Sequence, residues 1–152
     1  MLPNVKYTVL PITATSFPDL SWLEAECRIS VIGFGMEKFP IVIAELEDKV
    51  IGCLWSTRPV EGEIDWAVLE PYRKHGIATT MLSHFLENHG LLYERFTLTI
   101  NDSGSAALAN ELGFKCADQE AKTWTRDGFS RETLEATIRL VQSRQQPTRR
   151  GN

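Results

Sequence analysis

Apolar residues alternate with polar ones at Val5, Tyr7 and Val9 ahead of Pro11, and this two-residue period predicts an opening β-strand. Leu20, Leu23, Ala25 and Cys27 then fall at helical spacing. Pro18 precedes them, and Asp19 and Glu24 lie near the start, where negative charge suits the helix dipole. Residues 30–39, with Gly33 and Gly35, read as loop. They are not a dinucleotide fingerprint, because Lys38 stands where a third glycine would let helix and strand approach. Strand-like runs at 41–46 and 50–56 flank Glu47-Asp48-Lys49, a polar connection of hairpin length. A third run, 63–69, places Ile64, Trp66 and Val68 on one face and Glu63, Asp65 and Ala67 on the other.

Beyond Pro71 the period lengthens. Ile77, Met81, Leu82, Phe85 and Leu86 form one helical stripe that Gly90 ends. Phe96, Leu98 and Ile100 alternate with Arg95, Thr97 and Thr99 in a strand that runs into the turn-prone Asn101-Asp102-Ser103-Gly104. A short helix over 105–112 is capped by Gly113, two short strands occupy 114–125, and Ser130 caps a last helix over 130–143 bearing Leu134, Ile138 and Val141. The predicted architecture is an α/β (α+β) domain with a mixed, mostly antiparallel sheet. The hairpins require antiparallel neighbours, and the strand-helix-strand unit from 63 to 100 requires a parallel crossover. Residues 1–143 form a single domain in this reading, and 144–152 a polar, basic tail with Arg144, Arg149 and Arg150.

Composition narrows the function classes. Apolar residues at 43% and charged residues at 24% fit an ordinary globular core. A net charge of -4 makes nucleic acid an unfavoured partner, since a phosphate footprint needs clustered cations. Cys27, Cys53 and Cys116 lack CxxC spacing and read as reduced, buried thiols, which fits a cytoplasmic setting. No apolar run suggests a membrane span or a secretion signal. His84 and His89 stand five residues apart, wrong for two ligands on one helical face, so no metal is expected. Ser103-Gly104-Ser105 lacks the frame of a serine-hydrolase elbow. Trp22, Trp55, Trp66 and Trp124 could line an aromatic pocket for a cationic acceptor, although core or half-buried sheet positions are the more usual place for such residues.

The chemistry concentrates where the third strand run meets the strongest helix. Arg73-Lys74-His75-Gly76-Ile77-Ala78-Thr79 spans a helix start, where the first N–H groups lack intrahelical partners and attract phosphate. Gly76 and Ala78 let a pyrophosphate approach the backbone, and Arg73 and Lys74 add charge. An ordinary basic strand-to-helix turn, with glycine serving close packing, is the alternative.

The run from Val68 to Ala78 resembles the acetyl-CoA motif of the GNAT superfamily: Arg or Gln, two variable residues, Gly, any residue, then Gly or Ala. The family's usual proline falls one place early, at Pro71. Ser105-Ala106-Ala107-Leu108-Ala109-Asn110-Glu111-Leu112-Gly113-Phe114 is similar to the family's later helix, which ends in Leu-Gly-Phe, and Gly52 with its hairpin also matches. The resemblance covers roughly residues 5–125. It implies a six- to seven-stranded sheet with helices on both faces and a splayed central pair, 63–69 and 96–100. It also implies acetyl-CoA as acyl donor and an amine-bearing acceptor, a small molecule or peptide. The pyrophosphate would sit on Arg73 to Thr79, the pantetheine arm along the first splayed strand, and the N–H of Val68 or Leu69 on the thioester oxygen. Asn101, or equally Asp102, would meet the cofactor. Glu63 or Asp65, with Glu63 preferred, would take the amine proton. Met36 to Lys38 would line the acceptor cleft. Ala109 departs from the pattern: the family commonly places there a tyrosine that protonates the leaving thiolate, for which Ser105 or Tyr72 could substitute. The departure leaves open an acyl-CoA-binding module with little catalysis, and the last helix could serve a homodimer or a partner.

Overall fold

The computed structural model describes residues 4–11, 20–27, 39–58, 63–100, 103–120 and 122–145. Seven strands make one sheet: β1 (Lys6–Val9), β2 (Phe39–Leu46), β3 (Lys49–Arg58), β4 (Glu63–Val68), β5 (Arg95–Thr99), β6 (Lys115–Asp118) and β7 (Thr123–Asp127). Four helices accompany them: α1 (Ser21–Cys27), α2 (Ile77–His89), α3 (Ser103–Glu111) and α4 (Arg131–Gln145). The spatial order is β1-β2-β3-β4-β5-β7-β6, and every neighbouring pair is antiparallel except β4 and β5. The mixed, mostly antiparallel sheet is thus as expected, as is the parallel crossover β4-α2-β5. The final helix reaches Gln145, two residues beyond its expected end.

The β2–β3 hairpin turns more tightly than the three polar residues suggest. Leu46 pairs with Lys49, and Glu47 and Asp48 both adopt positive φ, 52° and 65°. That geometry matches the right-handed twist of the strands, at a cost of order 1 kcal/mol per non-glycine residue.

Gly52 decides how α2 lies on the sheet. A Cβ there would meet Ile77 Cγ2 at 3.3 Å and Met81 Cε at 3.4 Å, so the bare position lets the first turn of α2 settle onto β3. Gly52 and Val68 face each other across β3 and β4, so Val68, with Trp66 and Ile64, shares the α2 face. Glu63, Asp65 and Ala67 point the other way, toward the side on which Cys53 meets Glu24 of α1. Cys53 is fully buried, and burial and then Glu24 push its thiol pKa up, which leaves it inert. Cys27 is half-buried, but Cys116 lies exposed on edge strand β6, against the expectation of three buried thiols. Its partners there are only those of a four-residue strand at the sheet margin.

Helix α4 covers α2. Leu134 and Val141 are buried, Ile138 packs against the core, and Gln142 Nε2 donates to Glu87 Oε1 at 2.7 Å. The apolar stripe that suggested a partner surface is therefore largely occupied by this chain's own helix. Gly90 follows α2 for a packing reason. It is not left-handed (φ -63°), and a Cβ there would approach the Leu86 carbonyl oxygen at 2.5 Å and the Leu134 methyls at 2.6 and 2.9 Å. Beneath this junction His89 stacks on Phe85 at 5.6 Å, and neither ring nitrogen has a hydrogen-bond partner among the described residues. Burial lowers its pKa.

Two outcomes follow from the α2–α4 junction. Gly90→Ala should destabilise the fold by about 1–3 kcal/mol in urea titration, and the loss should shrink in a Leu134→Ala background. Because the folded-state pKa of His89 lies below its ordinary 6.5, the unfolded chain takes up that proton first as pH falls. Its stability contribution is complete above about pH 6.5 and declines below it. His89→Phe should flatten the fall in urea midpoint between neutral and acidic pH, and an unchanged slope would refute this.

Candidate active site

β4 and β5 pair only at Glu63↔Thr97 and Ile64↔Leu98, then part. The hydrogen-bonding edges of β4 follow from its register. Leu69 N–H donates to Ile51 O at 2.8 Å, which makes Leu69 and Ile51 a mutually bonded pair and Val68 and Gly52 the next, unbonded one. Alternation sends the N–H and C=O of Ala67 and Asp65 toward β3, and those of Val68 and Trp66 into the gap beside β5. Of the two amides considered for the thioester oxygen, Leu69 is thus committed to the sheet, and Val68 faces the opening.

Side chains complete that open edge. Asp65 Oδ1 accepts the Trp66 N–H at 2.8 Å, and the Val68 carbonyl accepts Arg73 Nε at 2.9 Å and Cys27 Sγ at 3.7 Å. Arg73 therefore ties the turn back to the end of β4 as well as bringing charge. Ser56 Oγ, buried, donates to Glu63 O at 2.8 Å and fixes the start of the strand.

After β4 a single 3-10 turn, Glu70–Tyr72, leads to Arg73. Lys74 (φ 65°) and Gly76 (φ 80°) are both left-handed, which curls the backbone around the half-buried His75. Gly76 caps α2 without a side-chain hydrogen bond, and the first turn of α2 contains no acidic residue. Most helices neutralise this end with a Ser, Asp or Glu. Here the N–H groups of Ile77, Ala78 and Thr79 precede the first intrahelical bond, Thr80 N–H to Gly76 O at 2.9 Å. The side chain of Ile77 is buried and anchors the turn, so only its backbone is offered to a ligand. Such an end, with Arg73 and Lys74 beside it, suits a phosphate.

The remaining candidates separate. Asn101, Asp102 and Met36 to Lys38 lie outside the described residues, as does the side chain of Ser105. Ala109 is buried, so no phenol occupies the position of the family tyrosine, and Tyr72 is half-buried against the core. Trp55 shares the face of Asp65 while Trp66 lies on the opposite face, and Trp22 is exposed beneath Lys49 Nζ at 4.0 Å from its ring. The tryptophans therefore do not gather into one pocket. No group of three or more His, Cys, Asp or Glu suited to a metal occurs among the described residues, and no described helix is long and apolar enough to cross a membrane. Two contacts escaped the sequence reading. The Cys27 bond to Val68 O spans 41 positions and leaves no local signal. The Thr80 hydroxyl bond to Gly76 O, at 2.7 Å, is signalled by a threonine four residues after the glycine.

A sheet that opens along one strand edge, beside a bare and basic helix terminus, defines an α/β protein suited to an extended anionic ligand. Residues 11–114 match the acetyltransferase (GNAT) family, and the chain belongs to that family. Its fold is similar to that of a protein from Exiguobacterium assigned as an acetyltransferase, with a TM-score of 0.58, 19% identity, and coverage of 88% of this chain and 97% of the other. An acyl-CoA N-acyltransferase from Pseudomonas aeruginosa gives a TM-score of 0.56 at 13% identity, covering 80% of this chain and 97% of the other. At such identities the likeness is one of fold. No curated protein matches the sequence.

Asp65→Asn should preserve stability, because an amide oxygen can still accept the Trp66 N–H. Asp65→Ala should cost about 0.5–1.5 kcal/mol in chemical unfolding. Equal midpoints for the two variants would show that the Asp65 bond does not hold the open edge.

Proposed function

We propose that this chain is an N-acetyltransferase that moves an acetyl group from acetyl-CoA to a primary amine of a small molecule or peptide. The observation that carries the reading is the uncapped α2 terminus: left-handed Gly76 as N-cap, no acidic residue in the first turn, and Arg73 and Lys74 beside it. The diphosphate of the donor accepts hydrogen bonds from Gly76 to Thr79, while Ala78 keeps the approach clear. The pantetheine arm adds to the open edge of β4 by backbone pairing.

In the reaction, the neutral amine attacks the thioester carbon, and the Val68 N–H stabilises the charge that develops on the carbonyl oxygen. Glu63 receives the amine proton, directly or through water. Asp65, whose Oδ1 already accepts the Trp66 N–H, is the second choice. The C–S bond then breaks and coenzyme A leaves as a thiolate. Tyr72 or Ser105 could protonate it, and a thiol of pKa about 8.5 also leaves tolerably without an acid. Ala109 favours a second reading, an acyl-CoA-binding module that has lost efficient turnover.

Calorimetry with coenzyme A, followed by thiol release over a panel of amines, separates these readings. Binding with amine-dependent thiol release supports the enzyme, and binding alone supports the module. No binding, or unchanged affinity in Gly76→Leu, would overturn both. For an active enzyme, Glu63→Gln should lower kcat by about 10²–10⁴ with little change in donor affinity.

A further inference from the structure

The last peptide of the open edge is held from both sides. Val68 C=O and Leu69 N–H belong to one planar trans unit and point in opposite directions. Leu69 N–H donates to Ile51 O on β3 at 2.8 Å, and on the far side Val68 O accepts Arg73 Nε at 2.9 Å. Cys27 Sγ also reaches that oxygen, at 3.7 Å, but a thiol is the weaker donor. Val68 ends β4, and Arg73 returns to it from beyond the 3-10 turn Glu70–Tyr72. The bond therefore stands where a strand edge that has parted from its neighbour frays first.

An extended residue directs its N–H and C=O to the same side, so Val68 turns both toward the gap. An acyl oxygen that accepts from Val68 N–H lies beside Val68 O, and two such acceptors repel unless one of them is engaged. Arg73 engages it, and the edge then offers a donor at Val68 and withholds the acceptor. The contact depends on one atom, Nε, the first nitrogen along the side chain. We propose that Arg73 is a positioning residue, which through Nε locks the Val68–Leu69 peptide so that Val68 N–H, and not Val68 O, meets the acyl oxygen of the donor. The proposal rests on the reading of this edge as the donor site, and it gives Arg73 a task apart from lending charge to the diphosphate.

The test separates the atom from the charge. Glutamine carries its amide nitrogen at the same place along the side chain without charge, whereas lysine carries charge but has a methylene at that place. Arg73 is exposed, so none of these replacements disturbs the core. Affinities for acetyl-CoA and for coenzyme A are measured by calorimetry on the intact chain, Arg73→Ala, Arg73→Gln and Arg73→Lys, and exchange of the Leu69 amide is followed by NMR on the ligand-free proteins. Charge lost near the diphosphate acts on both ligands alike, so the ratio of the two affinities isolates the acyl end. Arg73→Ala should lower the ratio of acetyl-CoA to coenzyme A affinity roughly 3- to 10-fold and speed Leu69 exchange by a similar factor, the effect of one lost hydrogen bond. Arg73→Gln should restore both readouts, and Arg73→Lys should restore neither. An unchanged ratio in Arg73→Ala, or restoration by lysine and not by glutamine, overturns the brace while leaving the donor site standing. Failure of the intact chain to bind either ligand removes the donor site and the proposal with it.

Discussion

The structure turns on the parting of β4 from β5. Two residue pairs hold the strands together, and beyond Ile64 and Leu98 the edge of β4 must satisfy its polar groups by other means. A buried amide or carbonyl left without a partner costs about 1–3 kcal/mol, so an opening inside a sheet persists only where side chains replace the missing ladder. Asp65 does so for the Trp66 N–H, and Arg73 and Cys27 do so for the Val68 carbonyl. The gap is therefore a constructed feature, with supports drawn from β4 itself, from α1 and from the turn before α2.

Arg73 links the gap to the helix terminus. Its Nε bond to Val68 O folds the chain back on itself just after the strand, and the left-handed Lys74 and Gly76 complete the reversal. Ile77 then drops onto Gly52, and the axis of α2 is set by that contact. The same residues that shape the opening along β4 thus decide where the bare N–H groups of α2 point. Strand edge and helix terminus are thereby tied together through Arg73, the arrangement on which the proposed extended donor with an anionic end would draw.

Much of this was legible in the sequence because it is local. β-rich runs marked β2 and β3, whose central residues are buried on both faces, alternation marked β4 and β5, and the 77–86 stripe marked α2, which lays one face on the core. The Arg73 to Ala78 run marked the start of α2, where Gly76 stands as N-cap. Long-range choices were not legible. Whether Leu69 or Val68 faces the gap depends on the register against β3, which no local pattern encodes. Part of the reason for Gly90 lies in Leu134, on another helix, and the exposure of Cys116 depends on β6 being an edge. The support from Cys27 likewise joins residues distant in the chain.

Ala109 shows how far a family likeness extends to chemistry. A general acid contributes about 10²–10⁴ in rate, or roughly 3–5 kcal/mol, yet its worth depends on how poor the leaving group is. A thiolate carries its charge far better than an amine or alkoxide would, so the barrier is governed more by forming the tetrahedral intermediate than by expelling sulfur. In the reaction proposed above, that first step would call on the amide at Val68 and a carboxylate on the α1 face of β4, both in a strand whose register is fixed on the β3 side. On that reading the missing phenol would remove help from the easier half of the reaction. Ala109 itself is buried and belongs to the core cluster, so its methyl serves packing.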